Sequence, residues 1–531
     1  MRREDLFTEI KITSLSHENI SELARNILGG DLQQELTQKL TKESQGNPLF
    51  VVESLKMMRE RNALFQEDNQ WKLTNTQLEI PNKIKDIILQ RLECLDRNQR
   101  KIVEVASVIG EEFGPELLAL TLDSDLDEII TALEVINQTT TLVICKNESY
   151  WFDHARTRDS IYEEISPALK RLYHKKIAQA LIKRTEKSNL PFSELAYHYS
   201  RTGDKENAIK YSLAAGQDAL IKWSNTEAIK QFSGILDITE EDPKYVAVFA
   251  LALEGLGDAY YANSMVKDSA KVFLELFNKT TDDVVRLRAL RKAMESVFQY
   301  GDMPYLMELV KKAESISCLD RLEYARVLMS KARSYQMQGI YTGPFEPLRK
   351  ALQIFSEEYS LWDIAWVLVG AGPQRAFFAK TGLEEKEGLA ESLRAIALFE
   401  ELGDLRWQME AYYAGGLTFS YCLLENQALK LFAKGVEIDD ENKLGDYLRT
   451  IYNLAASART LLHMGDLKQS LAINLKALKF LEKTDSGVAH GMVYSNLTMV
   501  YALLKDDKNS EKYFSKLVKL TPEILTHVLV L

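Results

Sequence analysis

Small residues recur at a fixed spacing in the C-terminal part of this chain, and this spacing constrains the fold more than any other feature. Five pairs are separated by 12 positions: Ala196/Ala208, Gly257/Ser269, Gly416/Ala428, Ala458/Ser470 and Thr498/Ser510. In four of these pairs an aromatic residue lies three positions after the first member. Small side chains allow two helices to approach closely where they cross. The constant spacing therefore predicts a series of similar helix pairs rather than one large core.

The pattern resembles the tetratricopeptide repeat (TPR). In that repeat a small residue lies where two helices cross, an aromatic follows three positions later, and a second small residue lies at the next crossing. The last repeats recur at 40 to 42 residues, longer than the usual ~34 residues, so extended helices or turns are expected. Residues 187–531 are therefore predicted to form a TPR repeat array, an α-solenoid superhelix with a long concave surface.

The concave surface of such an array typically binds a protein or peptide ligand. Large aromatic side chains are candidates to line it, and four are selected here: Tyr260, Tyr261, Trp407 and Tyr412. Packing between helices is the alternative role for these residues, because aromatics at helical spacing usually face a core.

Two glycine-containing stretches interrupt the repeat pattern, at residues 370–373 and 379–382. Glycine and proline punctuate helices and mark turns. A longer loop between two helices is therefore predicted in residues 370–387.

Composition and charge favour a mostly helical protein of the cytoplasm. The chain has 531 residues, more than one core holds, and only 11 prolines and 25 glycines interrupt it. A net charge of -11 argues against a general affinity for nucleic acid or anionic membranes. The four cysteines lie far apart, as expected for reduced thiols rather than disulfides or zinc ligands. No signal peptide or apolar segment of membrane-spanning length is found.

The N-terminal residues read as helices preceded by a short strand. Residues 7–12 fit a short strand, residues 14–19 fit a helix start with a serine cap, and a second helix covers residues 32–40. A third helix follows directly. Pro48 has no N–H and a fixed φ, which suits the first helical position, and Asn47 can cap the N–H groups behind it.

Residues 44–53 resemble the lid segment of large signal-transduction ATPases of the STAND class, a branch of the AAA+ proteins. In that family the proline of this turn borders the adenine of a bound nucleotide. The resemblance implies that residues 1–80 are a helical lid remnant and that Gly46, Asn47 and Pro48 form the vestigial adenine-side lip of a nucleotide site.

The other half of a nucleotide site is missing from the sequence. No Gly-x-x-x-x-Gly-Lys-Ser/Thr motif occurs in the 531 residues, and no apolar strand ends in the paired acidic residues of a Walker B motif. Those elements supply the phosphate cradle, the lysine and the magnesium ligands. The chain is therefore expected to begin after the catalytic core of such an ATPase and to be no enzyme itself. ATP or ADP would bind only if an upstream P-loop domain is present.

Residues 81–186 show a winged helix-turn-helix pattern, in which three helices are followed by a hairpin near residues 140–152. Residues 80–113 and 152–162 also resemble the winged-helix domain that follows the lid in STAND ATPases. The resemblance implies a winged-helix domain with a small β-hairpin between the lid and the repeats.

Charge argues against DNA binding by this domain. Nine carboxylates and no lysine or arginine lie between Glu104 and Asn137, the span of the would-be recognition helix. A helix in the major groove approaches phosphates and needs basic residues. His154, after the hairpin, is a candidate nucleotide-phosphate contact, since a winged-helix histidine reaches the phosphate in related ATPases. The alternative is a histidine bonded to a neighbouring carboxylate or backbone group.

Three hypotheses of function follow. The first is the non-catalytic sensor and regulatory region of a STAND-type ATPase, which binds a protein or inducer through the TPR superhelix. The second is a free-standing TPR adaptor that tethers partners without nucleotide. The third, a DNA-binding transcription regulator, is disfavoured by the acidic helix. No catalytic residue, metal site, nucleic-acid partner or membrane partner is predicted.

Overall fold

The computed structural model describes residues 14–60, 63–67, 70–74, 84–140, 142–147, 149–185, 190–239, 242–317, 320–337 and 345–520. Within these residues the chain forms 26 α-helices and six short strands, which confirms the all-α prediction. The chain divides into two compact units, Met1–Tyr211 and Ser212–Leu531, and the boundary between them falls within the helix Lys205–Ile221. The strand predicted at residues 7–12 lies outside the described residues. Among the helices described, none is both long and apolar enough to cross a membrane.

The first part of unit 1 packs three helices against a small sheet. The elements are α1 His17–Leu28, β1 Asp31–Leu32, α2 Gln34–Ser44, α3 Pro48–Glu60, β2 Leu64–Glu67 and β3 Gln70–Leu73. Strand β3 lies in the middle of the sheet, parallel to β1 and antiparallel to β2. The helices bury Ile20, Leu40, Val51 and Leu55 in a common core.

Local chemistry explains where these helices begin. The Ser16 hydroxyl accepts a hydrogen bond from the Asn19 N–H (3.3 Å), which confirms a serine cap for α1 and identifies Ser16 as the capping residue. The predicted start of the second helix, at residue 32, was wrong. Leu32 pairs with Trp71 in the sheet, and α2 begins at Gln34. The three strands were not predicted. They are two to four residues long, and the alternation of Trp71 and Leu73 with polar residues in β3 covers only four positions, the shortest run that indicates a strand.

The second part of unit 1 combines helices with a second small sheet. Its elements are α4 Ile84–Glu93, α5 Arg97–Ile109, β4 Glu112–Phe113, α6 Pro115–Leu122, α7 Leu126–Thr140, β5 Val143–Lys146, β6 Ser149–Phe152, α8 Ala155–Glu164 and α9 Pro167–Arg184. The predicted hairpin is confirmed as β5 and β6, and β4 adds a third antiparallel strand beside β6. An Asp96 capping box with Gln99 begins α5.

The remaining helices form the repeat array. They are α10 Phe192–Tyr199, α11 Lys205–Ile221, α12 Asn225–Thr239, α13 Val246–Ala262, α14 Val266–Lys279, α15 Asp283–Tyr300, α16 Met303–Glu314, α17 Arg321–Met337, α18 Phe345–Glu357, α19 Leu361–Phe377, α20 Gly382–Leu402, α21 Leu405–Tyr421, α22 Glu425–Asn442, α23 Tyr447–His463, α24 Leu467–Phe480, α25 Gly487–Leu503 and α26 Asp507–Leu517. Short 3-10 helices at Pro243–Tyr245 and Leu481–Lys483 precede α13 and follow α24. Within unit 2, neighbouring helices from α12 to α26 pack in succession, which confirms the predicted TPR-type α-solenoid.

The spacing of 12 residues has a direct structural cause. At three crossings the second small residue is a serine whose hydroxyl donates to the carbonyl of the first small residue. The bonds run from Ser269 to Gly257 (2.9 Å), from Ser470 to Ala458 (2.7 Å) and from Ser510 to Thr498 (3.0 Å). Each pair of helices therefore meets at the same two positions of the repeat.

The loop predicted in residues 370–387 was wrong over most of its length. Helix α19 continues through Pro373 to Phe377, and only residues 378–381 separate it from α20. Gly372 serves close packing instead of a turn. A Cβ at this position would clash with the Ser392 hydroxyl and lie 3.0 Å from the Gly388 carbonyl oxygen. The glycines that look like a break in the sequence thus allow α19 and α20 to cross at short distance.

Segments far apart in sequence also meet within unit 2. The Asp485 carboxylate accepts hydrogen bonds from the Val266 N–H (2.8 Å) and the Lys267 N–H (3.1 Å) at the start of α14. The Thr484 hydroxyl donates to the Ser264 carbonyl (3.1 Å). We call this contact, between residues 264–267 and residues 484–485, the closure. It shows that the array curves until an early repeat touches a late one.

Candidate functional site

A cavity of about 190 Å³ lies on the inner face of the helical array. Its walls come from α15, α17, α19, α21, α23 and α25, which are alternate helices along the chain. Stacked helix pairs place one helix of each pair on the concave side, so these six helices form the inner layer of the superhelix. The cavity therefore lies on the surface where a partner was predicted to bind.

Aromatic side chains form one wall of the cavity. Six of the eight aromatic residues that line the cavity come from α19, the residue after it and α21: Trp366, Phe377, Phe378, Trp407, Tyr413 and Tyr421. Trp407 is held by contacts with the rings of Trp362 (5.2 Å between centroids) and Phe399 (5.6 Å). The Trp362 indole also donates to the Asp404 carboxylate (3.0 Å). The wall is therefore a fixed apolar surface suited to a large apolar side chain.

An ion pair lies at the α15 and α17 side of the cavity. The Arg333 guanidinium contacts the Glu295 carboxylate at 2.6 Å and lies over the Phe298 ring at 4.7 Å. The Tyr261 hydroxyl donates to the same carboxylate (3.4 Å). Burial opposes the charged form of Arg333, but the Glu295 and Glu410 carboxylates outweigh it and raise the pKa of the guanidinium.

A second charged group comes from α21 and α23. The Glu410 carboxylate, which lines the cavity, lies 3.4 Å from the Arg449 guanidinium, and Arg449 in turn contacts Asp446 at 2.8 Å. Burial raises the pKa of the Glu410 carboxyl, and the nearby Arg449 and Arg333 oppose that rise. Arg406 also pairs with Asp446, at 3.3 Å. The two arginines are paired with two carboxylates, so this group adds polar atoms near the cavity wall without adding net charge.

A smaller cleft of about 100 Å³ adjoins the cavity and shares Tyr413, Leu417, Tyr421 and Met492 with it. Arg459 of α23 lines this cleft. Its guanidinium donates from Nε to the Asn496 side-chain carbonyl (2.6 Å) and from Nη2 to the Ser495 hydroxyl (3.0 Å).

The four aromatics selected from the sequence occupy different places. Trp407 lines the cavity. Tyr261 lies behind the wall, bonded to Glu295, and Tyr260 packs against the core around Phe232. Tyr412 is buried in the core of α17 to α21, and its hydroxyl donates to Glu400, so its ring is not offered to a partner. Packing, the alternative role, describes Tyr260 and Tyr412.

The Gly46-Asn47-Pro48 turn begins α3 as the sequence predicted. The Asn47 side-chain oxygen accepts from the Leu49 N–H (3.0 Å) and Pro48 is the first residue of the helix. The Leu15 N–H donates to the Gly46 carbonyl (2.8 Å), and a Cβ at Gly46 would lie 2.7 Å from the Leu15 carbonyl oxygen. The chain's own residues therefore pack against one side of the turn.

His154 lies exposed at the start of α8, where its Nδ1 accepts from the Arg156 N–H (3.1 Å). No hydrogen bond or ion pair joins it to Gly46, Asn47 or Pro48 in the part of the chain that the structure describes. The neighbouring Asp153 contacts the Lys56 ammonium at 3.1 Å and so ties α3 to the end of β6. A role of His154 or of the turn in nucleotide binding stays a prediction.

Sequence reasoning missed Arg333, Glu410 and Arg459. Arg333 lies in a helix with several other charged residues, whereas Glu410 and Arg459 each share a helix with one other charged side chain. In neither case does the local pattern distinguish an inward charge from a solvated one. Only the curvature of the array places Arg333 and Glu410 at the cavity and Arg459 at the adjoining cleft. Among the described residues there is no group of three or more His, Cys, Asp or Glu that could hold a metal ion.

Known proteins show similarity to parts of the chain and to its fold. Residues 16–72 match the family described as Domain of unknown function (DUF8739). No curated protein sequence matches the chain. Among solved structures, a STAND protein with a tetratricopeptide repeat sensor from Pyrococcus horikoshii is 15% identical with a TM-score of 0.46, over 96% of this chain and 74% of that chain.

Two further structures are similar at lower TM-scores. A Rap protein complexed with competence and sporulation factor is 11% identical, with a TM-score of 0.42, over 61% of this chain and 99% of that chain. Aspartyl phosphate phosphatase F from Bacillus subtilis is 16% identical, with a TM-score of 0.38, over 67% of this chain and 90% of that chain.

Proposed function

We propose that the helical array is a non-catalytic sensor region that binds a peptide, or a peptide-like segment of a protein partner, in its inner cavity. The observation that carries this proposal is the composition of the cavity wall. Every lining residue comes from, or directly follows, an inner-layer helix, and the aromatics lie beside two charged side chains, Arg333 and Glu410, each of which is paired. A peptide presents both apolar side chains and a polar backbone, which such a wall matches.

Unit 1 fits the regulatory part of a STAND-type ATPase. The motif in residues 44–53 and the confirmed hairpin after α7 support a lid and a winged helix, and the missing P-loop supports a region without its own nucleotide chemistry. The acidic residues at the start of α7, including Asp125, Asp127 and Glu128, are exposed, which disfavours DNA as the partner. The separated cysteines fit a cytoplasmic setting. Ligand binding in the array would bias the state of unit 1.

The test uses Gly370, which lines the cavity in the middle of α19. A Cβ added at this position meets nothing within 4 Å, so a larger side chain can enter the cavity without a backbone clash. We expect a pool of random linear hexapeptides to be enriched for a subset of sequences on the wild-type chain. Gly370→Phe should reduce that retention at least about tenfold, because the ring occupies the binding space.

The matched control is Gly234→Phe, a helical glycine of α12 that also has open space and does not line the cavity. It should retain the same peptides as the wild type, as measured by mass spectrometry of the protein-bound fraction. No enrichment on the wild-type chain, or equal retention by Gly370→Phe, would overturn the proposal.

A further inference from the structure

Arg459 differs from the other arginines on the inner face of the array. Arg333 contacts Glu295, and Arg449 and Arg406 both contact Asp446. Arg459 contacts only the neutral side chains of Asn496 and Ser495, and no carboxylate among the described residues pairs with it. Arg459 is therefore a positive charge on the inner face that no carboxylate in the described part of the chain balances by direct contact.

The surroundings of Arg459 do not neutralise this charge. Burial lowers the pKa of its guanidinium, which reflects the cost of holding a cation in the cleft without a counter-ion. His463 lines the same cleft, and its pKa is lowered by burial and then by Arg459 itself, against a smaller opposing effect of the Glu425 carboxylate. The other titratable groups of the cleft are the hydroxyls of Tyr413 and Tyr421.

The hydrogen bonds of the Arg459 guanidinium leave one of its nitrogens, Nη1, available to a ligand. Asn496 and Ser495 fix Nε and Nη2, whereas Nη1 donates to no group in the described part of the chain. A fixed arginine with a remaining donor is well suited to a carboxylate. The cleft shares four residues with the aromatic cavity, so an anion at Arg459 would lie beside a side chain in the cavity.

We propose that Arg459 binds a carboxylate of a peptide whose neighbouring apolar side chain occupies the aromatic cavity, an inference that rests on the proposed function. The carboxylate is that of an acidic side chain or of the peptide's C-terminus. The two sources share the same chemistry at Arg459 and differ in the peptides that carry them.

Three pools of random hexapeptides on the full chain distinguish these sources. One has free C-termini and no Asp or Glu, one has amidated C-termini with Asp and Glu, and one is amidated without either residue. We expect at least one carboxylate-bearing pool to be retained at least about tenfold better than the pool without carboxylates. The pool that is retained identifies the source.

Two variants test the residue itself. Arg459→Gln removes the charge, and Asn496→Asp places a carboxylate next to the guanidinium with little change in volume. Both should abolish the preference for carboxylates, whereas Arg394→Gln, at an exposed arginine of α20, should keep it. Thermal unfolding verifies that each variant is folded. The two substitutions lie in different helices, so a folding defect in one variant does not imply a defect in the other.

Two outcomes would overturn the inference in distinguishable ways. If all three pools bind equally and Gly370→Phe blocks them, the proposed function stands and the role of Arg459 is wrong. If no pool binds the wild-type chain, the proposed function and the inference fall together.

Discussion

Two buried histidines form an unusual contact at the scale of single residues. His174 of α9 and His198 of α10 are almost fully buried, and their Nδ1 atoms lie 2.8 Å apart. The Tyr162 hydroxyl lies 3.1 Å from the other ring nitrogen of His174. One Nδ1 must donate and the other accept, so the contact requires that the pair is not doubly protonated.

This pair should make unit 1 less stable in mild acid. Burial, then Arg201, Arg158 and Lys170, lowers the pKa of His174 from 6.5 to about 4. Burial, then His174 and Arg201, lowers that of His198 to about 3. Both folded-state values lie below the unfolded value, so the unfolded chain takes up protons first, and stability is lost as pH falls from about 6.5 toward 4. Between about pH 7.5 and about pH 5.5 the loss should be roughly 1 kcal/mol per histidine.

Hydrogen exchange of peptides from α9 and α10 measures this loss. After correction for intrinsic rates, exchange in the wild type should accelerate at the lower pH, and His174→Gln should flatten that change. His17→Gln, at an exposed histidine of α1, should leave it unaltered. Equal pH dependence in the wild type and His174→Gln would contradict the assignment.

At the scale of helices, the sequence predicted what local chemistry determines. Gly-Asp pairs end one helix and begin the next: Gly301 and Gly465 adopt the left-handed conformation, and Asp302 and Asp466 cap the helices that follow. The spacing of 12 between small residues correctly predicted the helix crossings at which two such residues meet. The crossing of α19 with α20 was missed because its glycines, Gly372 and Gly388, are 16 residues apart.

Two glycines of α19 should therefore respond oppositely to the same substitution. At Gly370 the added methyl meets open space, so Gly370→Ala should raise stability by up to about 1 kcal/mol through helix propensity. At Gly372 the methyl would meet the Ser392 hydroxyl and the Gly388 carbonyl, so Gly372→Ala should cost about 1–3 kcal/mol. Thermal unfolding followed by circular dichroism measures both. A higher melting temperature for Gly372→Ala would show that the helices cross less tightly than described.

At the scale of the whole repeat array, the site depends on curvature that no local pattern encodes. The concave surface could be predicted because inner helices follow from the repeat itself, whereas Trp407 was selected, with three other residues, only as a large aromatic. The cavity, however, joins Gln299 of α15 to Tyr452 of α23, and the Tyr452 hydroxyl donates to the Gln299 side chain. Such contacts depend on the summed rotation of many repeats, which is why Arg333, Glu410 and Arg459 could not be assigned from their spacing.

The closure is the element of this curvature that a single substitution can test. The residue before α14, Met265, offers no side-chain cap, and Asp485 accepts from the first two N–H groups of that helix instead. Asp485 thus caps a helix 219 residues earlier in the chain. Replacing it with alanine removes the cap and the contact between the two repeats, at a cost of about 0.5–2 kcal/mol.

We expect Asp485→Ala to accelerate hydrogen exchange both at the start of α14 and in residues 484–493, because the two segments stabilise each other. Asp506→Ala is the matched control, since Asp506 caps α26 locally through the Asn509 N–H (3.1 Å). It should accelerate exchange in α26 alone. The cavity is lined by α15 and α25, and each of these helices follows one of the two segments that the closure joins. Asp485→Ala should therefore also weaken the retention of the peptides whose binding Gly370→Phe blocks. Faster exchange at α14 only, with residues 484–493 unchanged, would show that the array keeps its curvature without this contact.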